Sequence, residues 1–191
     1  MKEVIKSRFI IEIFETIGFS LYVVFVYSHI DSLTMGIDAY ISQTALLAEI
    51  MMLSYVVVKN YVKKYRDAVL FKLALTFVYM STSALGLYTN DVTLIIIIAG
   101  YTKGLAGVTN LLYSKLFTME LMSRYDRFSS RVYESYTDTM NGITAKVSIA
   151  VFAITTPLTS LDIDWRYFVC IMLVTDAYVI YSEYKIRKLL K

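Results

Sequence analysis

The chain has 191 residues, of which 57 % are hydrophobic and 18 % charged, and its formal net charge is +3. A water-soluble domain of this length has too little polar surface to cover so much apolar side chain. The basic residues gather in a few stretches rather than spreading over a face, which argues against a nucleic-acid partner.

Cys170 is the only cysteine, so neither an intrachain disulfide nor a thiolate metal cluster is possible, and its apolar surroundings read as those of a small buried side chain. The N-terminal stretch MKEVIKSRFIIEIFETIGF begins like a signal peptide. It carries Glu12 and Glu15 within its apolar run and has no small-x-small cleavage site, so it reads as a retained first helix.

A membrane-crossing helix needs about 20 apolar residues, and a sliding window of about 19 finds six such segments. They cover residues 9–29, 40–59, 70–89, 92–114, 142–160 and 165–184. Tyr88, Thr89, Asn90 and Asp91 leave room only for a tight antiparallel hairpin between the third and fourth. Pro157 falls near the end of the fifth, where a lost backbone hydrogen bond is tolerated.

Lys and Arg are retained on the cytoplasmic side. Lys2, Lys6 and Arg8 precede the first segment. Lys59, Lys63, Lys64 and Arg66 follow the second, Lys115, Arg124, Arg127 and Arg131 the fourth, and Lys185, Arg187, Lys188 and Lys191 the last. The other three loops contain Arg166 alone, while Asp31, Asp38, Asp91, Asp162 and Asp164 fall on the outer side. The expectation is an all-α polytopic protein of a cell membrane, a single domain over residues 1–191 with six transmembrane helices and both termini cytoplasmic. The lipid bilayer is its first partner. Residues 115–141 read as a cytoplasmic or interfacial helical linker with Leu116, Met119, Met122, Phe128 and Val132 set among charges.

Charges near mid-membrane cost about 2.5–3.5 kcal/mol each on insertion scales and call for a reason. Glu49 and Lys103 fall at comparable depth in the second and fourth segments, so they read either as a static ion pair or as a functional site. Gly100, Lys103, Gly107, Asn110 and Ser114 recur at spacings of three and four and share one helical face. With Gly104 beside them, this face suits close helix packing or a wet cavity. Leu94, Ile98, Leu105 and Leu112 form its apolar opposite side.

Asp176, near Thr175 and Tyr178, is either a cation or proton site or the partner of a Lys or Tyr. Glu12, Glu15 and Lys146 lie shallow enough to reach headgroups. His29, the only histidine, is either an interfacial aromatic or a pH-sensing group. Of the 17 tyrosines, Tyr22, Tyr55, Tyr79 and Tyr101 lie inside segments and suit core packing or an aromatic ligand. There is no Gly-rich phosphate loop, no metal-ligand cluster and no nucleophile with its base. The chain therefore does not read as an enzyme, and no cofactor or metal is expected.

This layout resembles one six-helix half of a major facilitator superfamily transporter: cytoplasmic ends, a basic turn between the second and third segments, a short outer turn, and a long basic loop before the fifth. The signature that follows the second helix in that family falls on KNYVKKYRDAVLFK, where Lys63, Lys64, Arg66 and Asp67 keep the charge and the glycines are absent. GYTKGLAGVTN is similar to the fourth-helix signature, with Lys103 in the basic place and Gly104 and Gly107 in the small ones. TTPLTS shares only Pro157 with the fifth-helix signature.

That family builds its path from two six-helix repeats, so the resemblance implies a homodimer or a second six-helix chain. It also implies a half-size transporter or exporter subunit moving a small molecule or peptide. Lys103 and Asn110 would line the path, and Glu49 or Asp176 would couple movement to protons or ions. The other reading is a non-transporting immunity, sensor or scaffold subunit that contacts a partner through residues 115–141.

Overall fold

A computed structural model of the chain describes residues 2–29, 49, 52–125, 130–159 and 164–190, and its regular structure is helical throughout. The elements are α1 (Lys2–His29), a helical stretch over 52–61, α2 (Tyr65–Thr89), α3 (Val92–Leu94), a π-helical turn (Ile95–Ala99), α4 (Gly100–Arg124), α5 (Ser130–Thr159) and α6 (Trp165–Leu189). They fall into two compact units, one of Met1–Val24 with Lys115–Lys191 and one of Phe25–Ser114.

The expectation of six transmembrane spans, and with it of a multi-pass cell-membrane protein with both termini cytoplasmic, is corrected by this structure. Among the described residues one helix, α2, is long and apolar enough to cross a membrane, with a mean hydropathy of 1.6 over its most apolar window. The transporter-like layout of alternating spans and loops goes with it.

The physical reason lies in where the helices begin and end and in the charges they carry. Helix α4 runs past the expected span end at 114 through Lys115 and Glu120 to Arg124, and α5 begins at Ser130 and takes in Glu134, Asp138 and Lys146. Helix α1 holds Glu3, Lys6, Arg8, Glu12 and Glu15 in its first half. Helix α6 carries Arg166, Asp176, Glu183 and Lys185. Arg8, Asp176 and Glu183 are packed inward, while Glu3, Lys6, Lys115, Arg124, Glu134, Asp138, Lys146, Arg166 and Lys185 lie exposed along the helices rather than in loops between spans. Most of the expected segment 40–59, together with Asp31, Asp38, Asp162, Arg127 and Phe128, lies outside the described residues.

In the first unit, Val4, Ile11, Leu21, Val169, Met172, Val179 and Ile186 are buried, drawn from α1 and α6. Phe14 and Tyr178 stack with ring centroids 4.3 Å apart, and Ser20 meets Ser148 of α5 at 2.9 Å between hydroxyls. Cys170, expected to be buried, is exposed on α6. It lies two residues before Met172 and so turns away from the face that packs.

In the second unit, α2 turns back in two residues. Asn90 adopts the left-handed conformation (φ 57°), which Asn tolerates better than most residues. The amides of Asn90 and Asp91 both donate to the carbonyl of Gly86, and Asp91 Oδ1 accepts from the Leu94 amide at 3.1 Å to cap the returning chain. Gly86 is required by close approach. A Cβ there would lie 2.9 Å from Ile95 Cδ1 and 3.1 Å from the Asp91 carbonyl oxygen, and Ile95 is itself fully buried.

Candidate functional site

Helix α2 is polar inside and apolar outside. Its buried residues are Tyr65, Ala68, Val69, Lys72, Thr76, Tyr79, Ser83 and Gly86, which recur at three and four and form one stripe. Leu70, Phe77, Val78 and Leu85 are exposed on the other side, with Phe77 at 67 %. A helix in water shows the reverse arrangement.

Two cations cross this stripe as rungs of a ladder. Lys72 of α2, only 4 % exposed, points Nζ at the ring of Tyr113 on α4, 4.5 Å from its centroid, and donates a long 3.5 Å hydrogen bond to Asn110 Oδ1. The Tyr113 and Tyr65 hydroxyls meet at 2.9 Å, their rings 5.3 Å apart. Seven residues further along α2, Tyr79 lies under Nζ of Lys103, at 4.3 Å. Lys103 stands seven residues before Asn110 on α4, so the two rungs match because the helices run antiparallel and both repeat every two turns. A cation–ring contact contributes about 0.5–1 kcal/mol where it is exposed and up to about 2 kcal/mol where it is desolvated; Lys72 is buried and Lys103 half-buried. The Thr76 hydroxyl donates to the Lys72 carbonyl at 3.0 Å, which satisfies a further polar group on the stripe.

The first unit has its own ionic centre. Arg8 of α1 pairs with Glu12 one turn on and with Glu183 of α6, where Nη1 stands 3.6 Å from Oε1. Arg8 and Glu183 are both almost fully buried. Asp176 lies seven residues before Glu183 on the same inward face of α6, next to Thr175, whose hydroxyl donates to the Met172 carbonyl at 2.7 Å.

Of the residues singled out from sequence, Lys103 and Asn110 belong to this ladder. Lys103 is held over Tyr79, and Glu49, read as its ionic partner, is exposed. Asn110 accepts from Lys72, and Asp176 belongs to the other unit. Gly100 and Gly104 are half-buried on α4, whose apolar side packs through Leu105 and Leu112, while Gly107 lies further along the same helix. His29 Nδ1 lies 2.9 Å from the Phe25 carbonyl oxygen, and the two rings are in contact.

Three participants were not read from sequence as site residues. Lys72 sits within an apolar run, Arg8 reads as a topology marker, and Glu183 stands among the charges that close the chain. Arg8 and Glu12 stand four residues apart, and that spacing was the available signal for the first ionic centre.

Comparison with known proteins gives no match: no family model, no curated protein and no solved structure matches this chain. The resemblance to major facilitator transporters thus has no support beyond the sequence motifs themselves.

Proposed function

We propose that this chain is a non-transporting scaffold subunit that rests against lipid through the outer face of α2 and uses its buried charges to lock its own helices. The observation that carries this reading is the packing of the cations inside the helices. Lys72 and Lys103 lie on aromatic rings of the facing helix, and Arg8 lies between two carboxylates. A path for solute needs such groups turned toward a shared opening. Met119, Met122 and Val132, exposed within the stretch 115–141, offer adaptable apolar contacts for a protein partner.

Transport of a small solute is the second reading. It is favoured by the placement of Lys72, a buried cation, on the one described helix that is both long and apolar enough to cross a membrane. Proteoliposomes loaded with a pH-sensitive dye and given an inward-driving potassium diffusion potential separate the two. The scaffold reading expects proton uptake no faster than in protein-free vesicles. Faster uptake that is lost in Lys72→Met and Lys103→Met, with both variants retaining their helical circular dichroism, overturns it.

A further inference from the structure

Helix α6 carries a second exposed face that the reading above does not use. Tyr167, Ile171, Val174, Tyr178 and Tyr181 are all exposed and follow one another at spacings of four, three, four and three, with exposed Tyr184 alongside; Tyr178, the least exposed at 38 %, also stacks on Phe14 of its own unit. This spacing places them in a seam on one side of the helix, and the packed side repeats in the same way through Val169, Met172, Asp176, Val179, Glu183 and Ile186. The opposite face of α6, from Phe168 to Ile186, is already packed within its own unit.

We propose that this seam is the interface with a second copy of the chain, paired antiparallel about a two-fold axis through Val174. Three observations point to a second copy. First, the spacing suits a two-fold pairing about Val174, which sets Tyr167 against the other copy's Tyr181, seven residues either side of the axis, and Ile171 beside its Tyr178, each contact made twice.

Second, its ends are complementary. Exposed Asp164, which caps the start of α6 and pairs with Arg166 at 3.4 Å, lies ten residues before Val174, and exposed Lys185 lies eleven residues after it, so antiparallel pairing brings the other copy's Lys185 beside an Asp164 shared with Arg166. The helix dipoles are then also opposed favourably. Third, the exposed area is of the order that a dimer interface buries. With about 200 Å² for a whole tyrosine, the six side chains present roughly 650 Å² per copy, against about 800 Å² per partner in a standard interface.

Lipid is a poorer cover for this face. Four of its six side chains are tyrosines, whose hydroxyls find hydrogen-bond partners at a protein interface and few among acyl chains. Nor is α6 among the described helices long and apolar enough to cross a membrane.

The test uses the full chain in mild detergent. Native mass spectrometry of the unaltered protein is expected to show a dimer, and a monomer at micromolar concentration overturns the proposal. Disulfide cross-linking with copper phenanthroline in a Cys170→Ala background fixes the geometry. Val174→Cys is expected to link to itself. Tyr167→Cys alone is expected not to link, but to link at least ten-fold more when mixed with Tyr181→Cys. All three sites are exposed, so helical circular dichroism is expected to stay unchanged. Equal self-linking at all three sites means parallel pairing and overturns the proposal. So does a monomer whose label at Val174 is quenched by nitroxide lipids, since lipid would then cover the seam.

Discussion

Lys72 shows most clearly what a single side chain does in this protein. Its four-carbon stem is buried on the inner stripe of α2 and its ammonium rests on Tyr113, so volume and charge make separable contributions. Lys72→Met keeps the volume and loses the cation–ring contact and a long hydrogen bond, with an expected cost of about 1–2 kcal/mol. Lys72→Ala also opens a cavity and is expected to cost about 2–4 kcal/mol. Thermal unfolding followed by circular dichroism measures both; equal losses would show that the buried stem adds nothing to the charge, and an unchanged Lys72→Met would show that the charge contributes nothing. Lys103 and Asn110 could be singled out from sequence because they share a small, polar face. Lys72 was not, because its inward direction depends on Asn110 and Tyr113, which lie about 40 residues further along the chain.

At the scale of elements, the turn between α2 and the returning chain depends on one close approach. Gly86→Ala forces a methyl group against buried Ile95 and the Asp91 carbonyl, which cannot both move away. An overpacking cost of about 1–3 kcal/mol follows, read as a lower midpoint in chemical denaturation. An unchanged midpoint would mean that the turn relaxes freely.

The α1–α6 contact rests on Arg8 and Glu183. Arg8→Leu leaves Glu183 buried without this partner and is expected to cost about 3–5 kcal/mol, whereas Arg8→Leu combined with Glu183→Leu is expected to recover most of that loss. A double-mutant cycle showing no coupling between the two positions would rule out a direct clamp. The sequence made these helices legible as apolar stretches but misplaced their limits. The charges in 115–141 look like a loop, yet α4 carries its core through Leu116, Phe117 and Leu121 before it stops at Arg124.

For the whole molecule, two units each enclose their own charged centre, and this explains why the six-span expectation failed. Hydropathy and the distribution of Lys and Arg treat a charge as a boundary or a penalty. Here Arg8, Lys72, Asp176 and Glu183 are interior residues, and α2 alone among the described helices keeps a span's length and apolarity. The scaffold reading proposes that its exposed face is the contact with lipid. Each large apolar side chain on that face contributes on the order of 1 kcal/mol or more when it leaves water.

The most direct test of that contact is electron paramagnetic resonance with nitroxide labels at Phe77, Leu85 and Lys63, placed one at a time in a Cys170→Ala background in liposomes. The account expects labels at Phe77 and Leu85 to collide with lipid-soluble oxygen and to be shielded from aqueous nickel chelate, with the reverse at exposed Lys63 just ahead of α2. Nickel collisions at Phe77 and Leu85 as frequent as those at Lys63 would place the outer face of α2 in water and contradict the account.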